Sequence, residues 1–120
     1  MHEYSFEKLD VWKFSIKFVK DIYKVTRKFP SEEKFGLVSQ INRAAVSVPS
    51  NIAEGSSRNS SKEKSHFTSI AYGSMMELIT QLTISKEIGY INYEVYNKLR
   101  EQAEEITNKL NALRNFQRNV

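Results

Sequence analysis

The chain has 120 residues and a mass of 14.0 kDa, enough to bury a core without disulfide or metal staples and too little for two ordinary domains. It contains no cysteine, which excludes a disulfide framework, a thiol nucleophile and a thiolate metal site, and which fits a cytoplasmic protein. Lys and Arg total 18 against 14 Asp and Glu, a net charge of +4, so contact with nucleic acid or an acidic surface is permitted but not demanded.

The N-terminal segment MHEYSFEKLD lacks the apolar stretch of a signal peptide. No apolar run approaches the ~20 residues needed to span a membrane. The first helix is predicted over about Leu9 to Phe29, with Asp10 early in it and Pro30 as its stop. Its apolar residues form two adjoining rows. Val11, Phe14, Phe18, Ile22, Val25 and Phe29 make one, and Trp12, Ile16, Val19 and Tyr23 make the other. Together they cover roughly 200° of the helix, beyond the ~100° stripe that an ordinary surface helix buries. The excess predicts a second covered surface, most simply a contact between subunits. The remaining arc holds Lys13, Lys17, Lys20, Lys24, Arg27 and Lys28, with Asp10 and Asp21 at its margin. That stripe is about 22 Å long at about 1.5 Å per residue. It can track a phosphate backbone; the competing reading is a solvated face that happens to use lysine. Lysine is a point charge without arginine's fork, so binding there is expected to be weakly sequence-specific. No aromatic side chain interleaves on this face, which argues against base stacking.

After Pro30, Ser31 is expected to cap the next turn, with Glu32 and Glu33 in favourable first-turn positions. The second helix runs from Phe35 to Gly55. Leu37, Ile41, Ala44, Ala45, Val48 and Ile52 step by three and four, and the phase survives Pro49. A helix kinked at the proline and held by packing is the expectation. Arg43, Glu54 and Glu77 are the polar residues expected near the core, with an Arg–Glu pair fixing register. The polar linker SSRNSSKEKS, residues 56–65, carries Arg58, Lys62 and Lys64. It is either a phosphate contact beside a helix N-terminus or an ordinary loop.

Ser60 or Ser61 caps the third helix, which runs to about Ile88 with Gly89 just beyond it. Phe67, Ile70, Ala71, Met75, Leu78, Ile79, Leu82 and Ile88 form its core face, and Ala71, Gly73 and Ser74 suit close approach of a neighbouring backbone. Asn92 caps the fourth helix, which continues to about Phe116. Its seam of Tyr96, Leu99, Ala103, Ile106, Leu110 and Leu113 leaves Lys98, Arg100, Glu101, Glu104 and Glu105 solvated. No segment alternates like a strand. Short connections make successive helices antiparallel neighbours, so the predicted architecture is all-α: one up-down-up-down four-helix bundle over residues 1–120.

Catalytic signals are sparse. The histidines are His2 and His66, and neither has a placed partner in the sequence. The Glu-x-x-His motif of carboxylate-bridged metal bundles is absent, as is a phosphate-cradling glycine loop. The expectation is a protein that is not an enzyme and takes no cofactor and no metal.

Three segments carry a family resemblance. LDVWKFSIKFVKDIYKVTRKFPSEEKFGLVSQINRAAVSVPSNIAEGSSR, then FTSIAYGSMMELITQL and EIGYI, resemble the four-helix bundle family of 23S rRNA intervening-sequence proteins, also called S23-type. The resemblance runs from about Phe6 to Leu113. QINRAAVSVPSNIAEG and the Gly-Ser-x-x-Glu-Leu of the third helix are its most specific parts, and the fourth helix matches in pattern only. The resemblance implies a left-handed antiparallel bundle assembled as a ring-like homopentamer, from a bacterial family whose biochemical role is not established. It also implies similarity in fold to the accessory variability determinant of diversity-generating retroelements, a basic pentameric barrel that binds nucleic acid. This chain is much less basic than that relative would suggest.

The functional expectation is a non-enzymatic homo-oligomer that contacts the RNA or DNA backbone through the helix-one stripe, aided by Arg58 and Lys62. The alternative is a scaffold or accessory subunit whose partner is another protein.

Overall fold

A computed structural model describes residues 1–119. Four helices carry the fold: α1 (Asp10–Thr26), α2 (Leu37–Ser56), α3 (Ser61–Glu87) and α4 (Tyr93–Arg118). Short 3-10 turns at Ser5–Lys8 and Ser31–Glu33 precede α1 and α2. Each helix packs on two others: α1 on α2 and α4, α3 on α2 and α4. The pairs α1/α3 and α2/α4 lie across the diagonals.

Side-chain pairs fix the register. Ser47 meets Ser74 at 2.8 Å across α2/α3, Thr68 donates to Gln117 at 2.7 Å across α3/α4, and Gln102 donates to Asp21 at 2.8 Å across α1/α4. On α3/α4 the further pair Thr83–Tyr96 at 2.9 Å shows partner numbers falling as α3 rises, the mark of antiparallel neighbours. This is the predicted four-helix bundle.

The core is one cluster drawn from all four helices. Phe18, Ile22, Ile41, Met75, Leu78, Leu82, Ile106 and Leu110 are its largest fully buried apolar members. Each contributes about 1.5–3 kcal/mol by leaving water. The inward stripe of α1 is Val11, Ser15, Phe18, Ile22 and Thr26. Two hydroxyls thus occupy core positions that apolar periodicity could not assign. Both turn back on α1: Ser15 Oγ donates to the Trp12 carbonyl at 2.7 Å and Thr26 Oγ1 to the Tyr23 carbonyl at 3.3 Å, while Thr26 Oγ1 also reaches Asn42 Oδ1 of α2 at 3.0 Å. A hydroxyl that turns back on its own helix leaves no unpaired group in the core.

The helix ends follow capping chemistry. Ser60 accepts from the Glu63 amide at 3.1 Å and Asn92 from the Val95 amide at 2.9 Å, as expected of these residues. Gly89 has φ +87, the left-handed value that ends α3. Its amide bonds the Lys86 carbonyl at 3.1 Å and the Tyr90 amide bonds the Ser85 carbonyl at 2.8 Å. The expected cap by Ser31 is not what holds the second connection. Pro30 opens the 3-10 turn, and Glu33 Oε1 accepts from the Leu37 amide at 3.1 Å. The first helix stops at Thr26, short of Phe29, whose ring lies 5.2 Å from Tyr90.

α2 runs through Pro49 without a break, and Pro49 is buried. Gly55 sits close against α3: a Cβ there would lie 2.9 Å from Phe67 Cβ and 3.2 Å from the Lys64 carbonyl oxygen. On α3, Ile70 and Ile88 are exposed, so they leave the predicted core face. The α4 seam is buried as expected except at half-buried Leu113, and Arg100 is half-buried because Nη1 donates to Tyr96 Oη at 2.7 Å.

Candidate nucleic-acid interface

α1 places its cations by simple periodicity. Its inward stripe fixes one side against the bundle, the positions half a turn away hold Lys13, Lys17, Lys20 and Lys24, and Arg27 and Lys28 follow in the turn just past its C-terminal end. All six are exposed, and none makes an ion pair among the described residues. The stripe runs along the helix into the turn that follows it, and its helical part faces away from the core.

Its two edges differ. Toward α4, Lys17 and Lys24 line a groove with Asp21, Lys98, Glu101 and Glu105, so positive potential there meets acid. Toward α2, Lys20 borders an apolar groove of about 390 Å³ formed by Trp12, Ile16, Val19, Val46 and Pro49. The wide apolar arc of α1 is therefore largely covered within the chain. Phe6 packs on Trp12 at 5.2 Å between ring centroids, and Lys109 Nζ sits 4.8 Å from the Phe14 centroid. Phe14 and Ile16 stay exposed.

Arg58 and Lys62 do not extend the stripe. Arg58 Nη2 donates to Glu54 Oε1 at 2.7 Å while its guanidinium lies over the Phe67 ring at 4.8 Å. Both its charge and its plane are engaged locally. Lys62 is exposed on α3, the helix diagonal to α1. Half of the expected linker belongs to α3, which begins at Ser61, and Ser56 closes α2; Lys64 is half-buried and reaches the Ser56 carbonyl at 3.4 Å.

The polar residues expected near the core are on the surface. Arg43, Glu54 and Glu77 are all exposed. Glu54 pairs with Arg58, and Glu77 accepts from Gln81 Nε2 at 3.1 Å. Arg43 has no ion pair among the described residues and shares a polar groove with Gln40, Ser47, Ser74 and Glu77. The helical phase that Arg43 and Glu54 share points outward, and sequence spacing alone does not say which way a shared face points.

Three groups are shifted in their proton affinity. The Tyr90 hydroxyl and then the Leu37 amide hold the Glu33 carboxyl below the usual carboxylate range. Glu33 in turn pushes the Tyr90 hydroxyl up. Tyr96 is lowered, chiefly by its bond with Thr83 and further by Arg100 and Lys86. These contacts tie helices together. They line no catalytic constellation. Among the described residues no group of three or more His, Asp and Glu side chains could hold a metal. No helix among those residues is long and apolar enough to cross a membrane.

Residues 7–112 match the family model described as 23S rRNA-intervening sequence protein. The chain belongs to that family. The 23S rRNA-intervening sequence match covers all of α1, α2 and α3 and most of α4. The chain is similar to a protein with unknown function from the S23 ribosomal protein family of Bacteroides thetaiotaomicron VPI-5482. The crystal structure of that protein gives TM-score 0.81 at 23% identity, over 87% of this chain and 97% of that one. At that identity the likeness shows a shared fold. No curated protein matches. Neither match names an activity.

Proposed function

We propose that this member of the family is a non-enzymatic, homo-oligomeric bundle that lies along the backbone of RNA or DNA with the outer face of α1. The observation that carries the reading is the row of six exposed cations without ion pairs. The row is about 22 Å long, so it runs beside about six base pairs of duplex at about 3.4 Å per step. Lysine predominates, so the row senses charge and not base identity. The exposed apolar groove and the isoleucines of α3 favour a second reading, a scaffold that grips another protein.

The test is retardation of rRNA fragments and duplex DNA over a series of salt concentrations. Wild type is expected to show a log–log slope on the order of −4, matching about five phosphate contacts. Exchanging Lys13, Lys17, Lys24 and Lys28 for Glu should abolish retardation while the helical circular dichroism is unchanged. The control exchanges Lys8, Lys34, Lys98 and Arg118 for Glu. It has the same net charge with the stripe intact, and it should keep binding. Loss in both sets, or no retardation of wild type at low salt, would leave the scaffold reading.

A further inference from the structure

Two features meet along one edge of α1: the cation row and an aromatic-walled groove. The groove lies between α1 and α2 and measures about 390 Å³. Phe6, Trp12, Ile16 and Val46 supply much of its apolar wall, and Lys20 and Ser50 are its exposed polar members. None of the described residues that line it is acidic. The groove on the other edge of the row differs in that respect, because Asp21, Glu101 and Glu105 line it. An anionic strand laid on the row is therefore drawn toward α2 and not toward α4.

The aromatic wall comes from outside the row, which itself holds no aromatic residue. The 3-10 turn at Ser5–Lys8 brings Phe6 back onto Trp12, with ring centroids 5.2 Å apart and planes at 62°. Tyr4 stacks on Phe6 at 6.0 Å with planes 10° apart, and the Tyr4 amide donates to Glu7 Oε1 at 2.9 Å. These contacts hold the turn against the helix. Phe6 and Trp12 are half-buried, so each keeps ring surface open, and Ile16 and Val46 are 37% and 40% exposed. Small-molecule sites span about 300–1,000 Å³. The groove is at the low end of that range, a size for one flat heterocycle.

We infer that this groove takes an unpaired base of RNA or DNA, stacked against Trp12 and Phe6 with its phosphate on Lys20. The inference rests on the nucleic-acid reading above and names the part of the strand that is recognised: a single-stranded base beside a duplex that lies along the row. Every base has a π-face, so the groove senses strandedness and not sequence. A paired base stays inside the duplex and reaches the groove only at the cost of unpairing and unstacking. The acids of the turn are already engaged: Glu7 accepts from the Tyr4 amide, and Glu3 pairs with Lys8 at 3.9 Å.

Trp12 is the single tryptophan of the chain, so its fluorescence reports this groove. The full-length protein is titrated with a blunt duplex, with the same duplex carrying a short unpaired thymine tail, and with the same duplex carrying an abasic tail of equal length. The two tails have equal charge and differ only in their bases. The thymine tail should bind about tenfold more tightly than the abasic tail, and the ratio should hold across salt concentrations, because stacking releases no counterions. The thymine tail should quench Trp12, and the other two ligands should not. Trp12→Leu should lose the preference for the thymine tail and bind the blunt duplex as wild type does. Ala53→Leu fills the groove from α2 and keeps the reporter, and it should lose both the preference and the quenching. Cooperative thermal unfolding confirms that each variant is folded. No binding of any of the three ligands overturns the nucleic-acid reading as a whole. Equal binding of the two tails, or a preference that survives Trp12→Leu, overturns only the base site. Trp12 emission that follows protein concentration and ignores the tail places a second copy in the groove and also overturns the base site.

Discussion

Glu33 holds two connections at once. Its Oε1 accepts from the Leu37 amide at 3.1 Å and so caps α2, while its Oε2 accepts from Tyr90 Oη at 2.8 Å beyond the end of α3. Both bonds favour the charged carboxylate, which explains its lowered proton affinity. The linkage follows in sign. A carboxylate depressed in the folded state stabilises above its unfolded value of about 4.3, and that share is lost as pH falls through the folded value. Tyr90 is raised, so its share is complete below about 10 and is lost as pH rises through its folded value. Tyr90→Phe should therefore melt below wild type at neutral pH, and the gap should close both in acid and in strong base. A gap independent of pH would mean that the hydroxyl acts by packing alone. The sequence places Glu33 correctly in a first turn, but it assigns the cap to Ser31. The reach to Tyr90 crosses 57 positions of sequence and is invisible to local reading.

Helix existence and order were legible because glycines, prolines and caps punctuate the chain at regular distances. Ser60, Gly89 and Asn92 act where their chemistry places them. What periodicity could not resolve was the orientation of broad faces. On α3, Ile70 and Ile88 share spacing with core residues, yet the helix rotates them outward because Ser74, Gln81 and Ser85 take the inner positions beside Leu78 and Leu82. The two interior glycines of α2 and α3 make the contrast measurable. At Gly55 an added methyl meets Phe67 Cβ and a backbone carbonyl, neither of which can swing away. Overpacking of about 1–3 kcal/mol should there exceed the gain of about 1 kcal/mol in helix propensity. At Gly73 the same methyl meets nothing. Urea unfolding should show Gly55→Ala destabilised. Gly73→Ala should be stabilised by about 1 kcal/mol. Equal signs at the two sites would show that close approach at Gly55 is not the controlling effect.

The net charge of +4 hides an uneven surface. The outer face of α1 and the turn after it carry six exposed cations, whereas exposed α4 carries Glu94, Glu101, Glu104 and Glu105 against Lys98 and Arg118. One copy therefore offers a single short basic row, enough for weak contact with a polyanion. The homo-oligomer proposed above would repeat that row, and each further contact on the same strand would become intramolecular. Avidity of this kind raises affinity by on the order of 10²–10⁴ without any new contact. The gain needs a nucleic acid long enough to touch more than one copy. Wild type should therefore bind a duplex of about 60 base pairs on the order of 10²-fold more tightly than one of about eight base pairs, which spans little more than one row. A gain no larger than the greater number of sites on the long duplex supplies would mean that single copies bind independently and that assembly serves something other than nucleic-acid affinity.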